Sequence, residues 1–269
     1  MKVFQFIFSF FLRFLFSAGF LFGMMAPQVA YTQNELKVLA YNIHHANPPS
    51  IPDSIDLPAI AQVIIESGAD LVALQEVDVH TERSGPGLHQ AKALADLTGM
   101  HFYFEKSIPY QGGEYGNAIL SRFPIENKLA LQLSSAEGTE PRTLLLVQVT
   151  LPDGEKIKFA STHLDFSSST NATNQAKDIT SYLKDEPLPV IMAGDFNALI
   201  GSDAIDELDS HFERTCRENC PPTIPVVDPN RTIDFIYYRP DNKFQVKEHR
   251  VISETYASDH LPVLATLVW

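Results

Sequence analysis

The hydrophobic positions fall into short runs whose spacing switches between sheet and helix periods. "LKVLAYNI" (36–43) is an apolar run ending in a polar residue, the pattern of a buried strand. A Pro/Ser/Asp loop follows at 46–58. Ile60, Val63, Ile64 and Ser67 then recur at helical spacing, with Asp56 as cap, Pro58 in the first turn and Gly68 as the stop. "DLVALQEV" (70–77) is a second buried strand, so the domain opens as β-α-β. Residues 88–98 read as a helix ending at Gly99. "NAILS" (117–121) and "TLLLVQVTL" (143–151) read as strands. Pro152-Asp153-Gly154 turns the chain, and "KIKFASTHL" (156–164) returns as the hairpin partner. A helix near 172–184 leads to "PVIMAGDF" (189–196). "TIDFIYYR" (232–239), "FQVKEHRVI" (244–252) and "LPVLATLVW" (261–269) complete a strand-rich C-terminal part. About ten strands and three or four helices, joined by hairpins and crossovers, predict one layered α/β domain with mixed sheets over residues 34–269.

Residues 1–30 follow another pattern. Lys2 opens a Phe-rich stretch broken only by Arg13, and the clean apolar core from Phe14 to Met25 has the length of a signal-peptide core. Small residues follow in "APQVA". An uncleaved anchor over residues 3–25 is the competing reading. Either predicts export of the domain, to the periplasm or outside the cell, with membrane proximity in the anchored case. Export also favours a disulfide between Cys216 and Cys220. A zinc site there would need two more ligands, and only His211 is near in sequence.

Composition narrows the class. At 45% hydrophobic and 20% charged residues, the chain is neither disordered, collagen-like nor a coiled coil. Its net charge is −13. Lys2 and Arg13 are the only charges in residues 1–30, so the remainder sets 18 basic against 33 acidic side chains. Such a surface repels phosphate backbones and argues against strong non-specific nucleic-acid binding. Phosphate chemistry stays open, because a bound divalent cation reverses the local field of an acidic site.

The candidate chemistry sits at the ends of the apolar strands. Asn42 ends the first and Glu76 the second. His163 and Asp165 end the hairpin return, and Asp195 and Asn197 end "VIMAGDFN". Asp234 interrupts "TIDFIYY", and Asp259 and His260 precede the final strand. A charge against buried strand ends costs free energy unless it is paired or binds metal. One such residue is ordinarily a turn or cap; six strand ends with this habit point to a site. Glu76, Asp195 and Asp259, with Asn42 and Asn197, form an oxygen-rich set suited to Mg2+ or Mn2+. An Asp such as Asp234 can orient a His and favour its charged form. Metal, carboxylate and cationic His together suit phosphoryl transfer.

"LAYNIHHA", "ALQEVD", "YGNAILSRFPI", "THLDF", "MAGDFNA", "TIDFIYY" and "SDHLPV" stand in the order of the endonuclease/exonuclease/phosphatase superfamily, which the chain resembles over residues 36–269. The resemblance implies a four-layer α/β (α+β) sandwich, two mixed β-sheets packed face to face with helices outside. It implies metal-assisted hydrolysis of a phosphate ester by in-line attack of water. Glu76 matches the principal metal ligand, supported by Asn42 and Asp259. Asp195 matches the carboxylate that orients or deprotonates the water, and Asn197 its partner. His260 matches the histidine that stabilises the phosphate, Asp234 its orienting carboxylate, and His163 the second histidine, for which Asp165 is a candidate partner. Arg83, Asn117 and Tyr115 are candidate substrate contacts. Arg122 reads as structural, and His44 and His45 as either site-facing or surface residues.

The substrate stays open between a lipid headgroup or small phosphate ester and a nucleic acid cleaved by an exported nuclease. Abasic-site endonucleases usually carry a tyrosine where His163 stands, and no long insertion of the kind that wraps duplex DNA is present. A binding domain that lost the chemistry would lack some of Glu76, Asp195, Asn197, Asp259 or His260, and all five are present.

Overall fold

A computed structural model describes residues 34–240 and 243–269, and the signal or anchor segment read at 1–30 lies outside the described residues. The first half runs β1 (Glu35–Asn42), a 3-10 turn (His44–Ala46), α1 (Leu57–Ser67), β2 (Leu71–Val79), α2 (Gln90–Thr98), β3 (His101–Tyr110), β4 (Gly113–Ser121) and β5 (Ile125–Gln132). The second runs β6 (Thr143–Thr150), β7 (Lys156–His163), α3 (Ser169–Leu183), β8 (Val190–Asp195), α4 (Asp203–Asp209), β9 (Glu213–Arg214), β10 (Asp234–Tyr238), β11 (Gln245–Val251) and β12 (Val263–Val268). The strands form two six-stranded sheets, ordered β11-β12-β1-β2-β4-β3 and β5-β6-β7-β8-β10-β9. Each is mixed, with one parallel pair: β1 with β2, and β7 with β8.

Strand alternation explains the layering. Leu36, Val38 and Ala40 of β1 join Leu71 and Ala73 of β2 in a buried cluster with Leu145, Phe159, Ile191 and Ile236 of the other sheet. This is the face-to-face contact between the sheets. The opposite face of the first sheet, with Leu39, Tyr41, Val72 and Leu74, packs on Ile60, Ile64 and Leu94 of α1 and α2. The opposite face of the second, with Leu144, Leu146 and Met192, packs on Ile179 and Leu183 of α3 and Ile205 and Leu208 of α4. Helix, sheet, sheet, helix is the four-layer sandwich expected from the sequence. Among the described residues no helix is long and apolar enough to cross a membrane.

Local signals held where they rest on backbone chemistry. Asp56 accepts a hydrogen bond from the Ala59 amide at 3.1 Å, and Gly68 closes α1 in the left-handed region at φ 66°. Cys216 and Cys220 form a disulfide in the loop between β9 and β10. Arg122 is structural: its Nε donates to the Ala69 carbonyl at 2.9 Å and it pairs with Asp70. The strand count needs correcting, because the sequence reading omitted β3, β5 and the two-residue β9. β3 and β5 are sheet edges, half-exposed and carrying Glu105, Lys106, Glu126 and Lys128. A strand that buries one face only in part lacks the apolar run that marks a central strand.

The site depends on one close backbone approach. A Cβ at Gly194 would lie 2.0 Å from the Thr162 carbonyl oxygen of β7. Gly194 immediately precedes Asp195, so this contact sets how near β8 brings its carboxylate to β7. Gly194→Ala is expected to cost about 1–3 kcal/mol by overpacking, read as a lower urea midpoint. An unchanged midpoint would contradict the close approach.

Candidate active site

The rows of side chains that fill the inter-sheet core turn polar at one end of the sandwich. Ile191 and Ala193 of β8 give way to Asp195; Ile157 and Phe159 of β7 give way to Ser161 and His163. Register sets His163 opposite Asp195 and Asp195 opposite Asp234, so three functional residues stand abreast on adjoining strands. Asn42 ends the corresponding row on β1. Glu76 arrives differently. β2 bulges against β4 between Leu74 and Val77, and Glu76 sits in that bulge at φ 59°. The bulge breaks the alternation and re-aims the side chain.

Asn42 ties the sheets together at this end. Its Nδ2 donates to Glu76 Oε1 at 2.9 Å and to Asp195 Oδ2 at 3.1 Å. Asp195 Oδ1 accepts the Asn197 amide at 2.9 Å, and Asn197 Nδ2 donates to the Leu164 carbonyl at 3.0 Å. Both histidines present Nε2 to Asp195 Oδ2, His163 at 3.5 Å and His260 at 3.7 Å. His260 Nδ1 lies 3.0 Å from Asp234 Oδ2, which also accepts the Thr223 hydroxyl at 2.6 Å. Ser258 donates to the Asn42 carbonyl at 2.7 Å and accepts the His260 amide at 3.3 Å, which fixes His260 to the end of β1.

The two histidines are held in opposite charge states. Burial opposes charge on His260, but Asp234 and Asp195, with Asp259, outweigh it and hold the imidazolium well above its ordinary range. Burial, then the Arg142 and His260 cations, pushes His163 well below its ordinary value. Arg142 Nη1 lies 3.1 Å from His163 Nδ1. A guanidinium only donates, so Nδ1 accepts and the neutral ring carries its proton on Nε2, toward Asp195. Burial, then Asp234, raises the Asp195 carboxyl above the carboxylate range, against the pull of His260. A carboxylate raised in this way is a competent proton acceptor.

Glu76, Tyr115, His163, Asp195, Asn197 and His260 line one cavity of about 250 Å³, together with Glu140, Arg142 and Phe166. The last three were missed in the sequence. Arg142 had the same signal as the others, a charge at the edge of an apolar run, but at the start of β6. Because β6 runs antiparallel to β7, its beginning adjoins the end that carries His163. The remaining candidates lie outside this lining. Arg83 holds Asp78 bidentately, at 2.7 and 2.9 Å, and covers the rings of Tyr110 and Tyr115. Asn117 donates to the Thr143 carbonyl at 3.1 Å and is buried between the sheets. Asp165 does not partner His163: it accepts Ser167 and Asn171 and orders the entry to α3. Asp259 lies beside His260 and is not among the groups gathered around Glu76. That group comprises His44, His45 and Glu76, each offering one ligand atom within 4.8 Å of the others.

Asp234 supplies the largest opposing charge to burial at His260. In metal-free protein, Asp234→Asn is expected to bring the His260 titration down toward the ordinary value of 6.5. The sign follows from linkage: the raised folded value stabilises the fold fully below 6.5, and that contribution is lost as pH rises from 6.5 through the folded value of about 10. Titration by ¹⁵N NMR checks this, and an unmoved midpoint would assign the shift elsewhere.

Comparison with known proteins places this geometry. The uncharacterized Escherichia coli protein YbhP is 28% identical over 254 residues, covering 87% of this chain and 97% of that one. The crystal structure of an endonuclease/exonuclease/phosphatase from Beutenbergia cavernae is 26% identical, with TM-score 0.71, covering 87% of this chain and 71% of that one. A mannosyl-6-phosphatase from Bacteroides thetaiotaomicron shares the fold at 24% identity and TM-score 0.72, covering 87% of this chain and 100% of that one. The model of the endonuclease/exonuclease/phosphatase family, whose members are phosphoesterase hydrolases, matches residues 39–260. The chain belongs to the endonuclease/exonuclease/phosphatase family.

Proposed function

We propose that the protein is an exported, divalent-metal-dependent hydrolase of phosphate esters, acting on lipid headgroups or small phosphate esters. One observation carries the catalytic reading: Glu76, Asp195, His163 and His260 line one cavity between the sheets, and the buried Asn42 joins Glu76 to Asp195. The export reading rests on residues 1–30 alone.

The donor set fits a divalent cation. Glu76 is a carboxylate whose only hydrogen-bond partner among the described residues is the neutral Asn42 amide. Glu76 would hold Mg2+ or Mn2+, with Asn42 Nδ2 orienting its carboxylate; the ion when bound would polarise a phosphoryl oxygen and offset charge on the phosphate. The chain's own groups divide the remaining work. Asp195 takes the proton of the attacking water. His260, kept cationic by Asp234, and the buried Arg142 guanidinium draw the phosphate in and stabilise the charge that develops on it. His163 offers its Nε2–H to a phosphate oxygen or the leaving group. Asn197 holds Asp195 in position through its backbone amide.

The rim favours small or lipid-borne substrates over nucleic acid. Phe166, at the cavity edge, is 70% exposed, and the neighbouring hollow that shares Phe166 and Asn197 is lined by the exposed Leu199. Among the described residues, the one Arg or Lys lining the cavity is Arg142, and it is buried. A strand of phosphates needs a basic rim, whereas a single phosphate on an apolar or neutral body does not.

The test is hydrolysis by the full chain of a headgroup and sugar-phosphate panel, beside nicking of supercoiled plasmid, with Mg2+ or Mn2+ and with EDTA. Phosphate release that vanishes in EDTA is expected. Asp195→Ala and His260→Ala are expected to lower kcat by roughly 10² to 10⁴ with the fold intact. Losses under tenfold in both variants would move the chemistry elsewhere. Metal-dependent nicking that exceeds every small substrate would make the protein a nuclease.

A further inference from the structure

The turn after β1 is an unusual piece of backbone. His44 and His45 have φ 44° and Ala46 has φ 59°, three consecutive non-glycine residues in the left-handed region. Glu76, across from them, has φ 59°. Each costs conformational energy and persists only where its surroundings enforce it, which is why such residues gather at ligand clamps. The enforcement is visible. The His44 amide donates to Asn42 Oδ1 at 3.0 Å, the Asp56 amide to the Ala46 carbonyl at 2.8 Å, and Gln90 Nε2 to the His45 carbonyl at 2.7 Å.

The turn delivers two imidazoles to Glu76, with ligand atoms of all three within 4.8 Å of one another. His44 Nδ1 lies 3.0 Å from the Asn47 carbonyl. A carbonyl only accepts, so Nδ1 carries the proton and Nε2 keeps its lone pair, the arrangement that orients a ligating histidine. His45 Nδ1 is buried and has no hydrogen-bond partner. A buried polar atom without a partner calls for an explanation, and an unmodified protein interior rarely leaves one.

We propose that His44 and His45 join Glu76 as metal ligands and make this centre select a borderline transition ion, Mn2+ or its first-row neighbours, over Mg2+. The proposal rests on the reading of Glu76 as a metal ligand. Mg2+ prefers oxygen and keeps its waters, whereas imidazole nitrogen suits the borderline ions. Two imidazoles and one carboxylate therefore shift the balance in a way that the Glu76 carboxylate alone would not.

The test uses full-length protein stripped with chelator, then titrated with Mn2+ and with Mg2+, and read by calorimetry and by pulsed EPR of the Mn2+ form. Nitrogen modulation from bound imidazole is expected in the wild type. His44→Asn/His45→Asn replaces nitrogen by a hard oxygen donor, and asparagine tolerates the left-handed backbone. The double variant should lose the modulation, and its preference for Mn2+ over Mg2+ should fall at least about tenfold. Transition ions bind most sites more tightly than Mg2+, so the change in preference is the informative quantity. Mn2+ bound without nitrogen modulation in the wild type overturns the proposal, and that measurement stands even if the variant fails to fold. Glu76→Gln separates the two readings. If it abolishes binding of both ions while wild-type Mn2+ shows no nitrogen modulation, only the histidine assignment fails. If it changes neither affinity, the reading of Glu76 fails and the proposal with it.

Discussion

The buried carboxylate of Asp195 is the constraint on which the rest of the site depends. It is 1% exposed, and a charge removed from water needs partners of its own. Those partners come from every part of the molecule that meets at this end. Asn42 reaches it from the first sheet, Asn197 from the loop that follows it, His163 from β7, and His260 from the loop before β12. Satisfying one carboxylate thus fixes two loops, two strand ends and the spacing of the two sheets. Gly194 sets the approach of β8 to β7, and Ser258 sets the approach of the His260 loop to β1.

The same alternation that builds the core builds the site. One face of each central strand packs between the sheets until the apolar rows run out, and the next residue on that face is polar. No separate scaffold is needed, and the site inherits the rigidity of the core. Departures from regular geometry occur where alternation would send a side chain the wrong way. Glu76 would face the helices if β2 continued regularly, and the bulge prevents it. Asn197 adopts φ 48°, which asparagine tolerates well, and so returns its amide to Asp195.

This explains what was legible in the sequence. Buried strands ending in Asp, Asn, Glu or His are visible because the apolar run stops at a residue that should not be buried. Asn42, Glu76, His163, Asp195, Asp234 and His260 stand at such run ends or interruptions; the runs themselves predicted a layered α/β domain with mixed sheets, and the four-layer sandwich came from the family resemblance. What was not legible depends on burial and on packing between elements, which local spacing does not encode. Arg83 and Asp78 are five residues apart, yet nothing in their spacing reveals that Asp78 is buried and claims both arms of the guanidinium. Asn117 and Thr143 meet only because two sheets stack. Arg142 was overlooked because strand direction, which decides which end of a run adjoins the site, is not written in the run. Edge strands β3 and β5 were overlooked because a half-exposed strand has no reason to be apolar.

The electrostatics give the arrangement its chemical sense. The chain carries net charge −13, so its overall field opposes an approaching phosphate. Attraction must then be generated locally and at short range. Under the proposed function two buried cations would supply it: Arg142, which pairs with Glu140 and keeps His163 neutral, and His260, whose charge Asp234 maintains. Burial strengthens their field because little water screens them. Both sit beneath a small cavity and neither extends along a groove. Under the proposed function, such a field would favour one phosphate at one point over its neighbours along a polymer. On the same proposal, the exposed apolar Phe166 at the edge would meet an uncharged remainder of the substrate that the acidic surface does not repel.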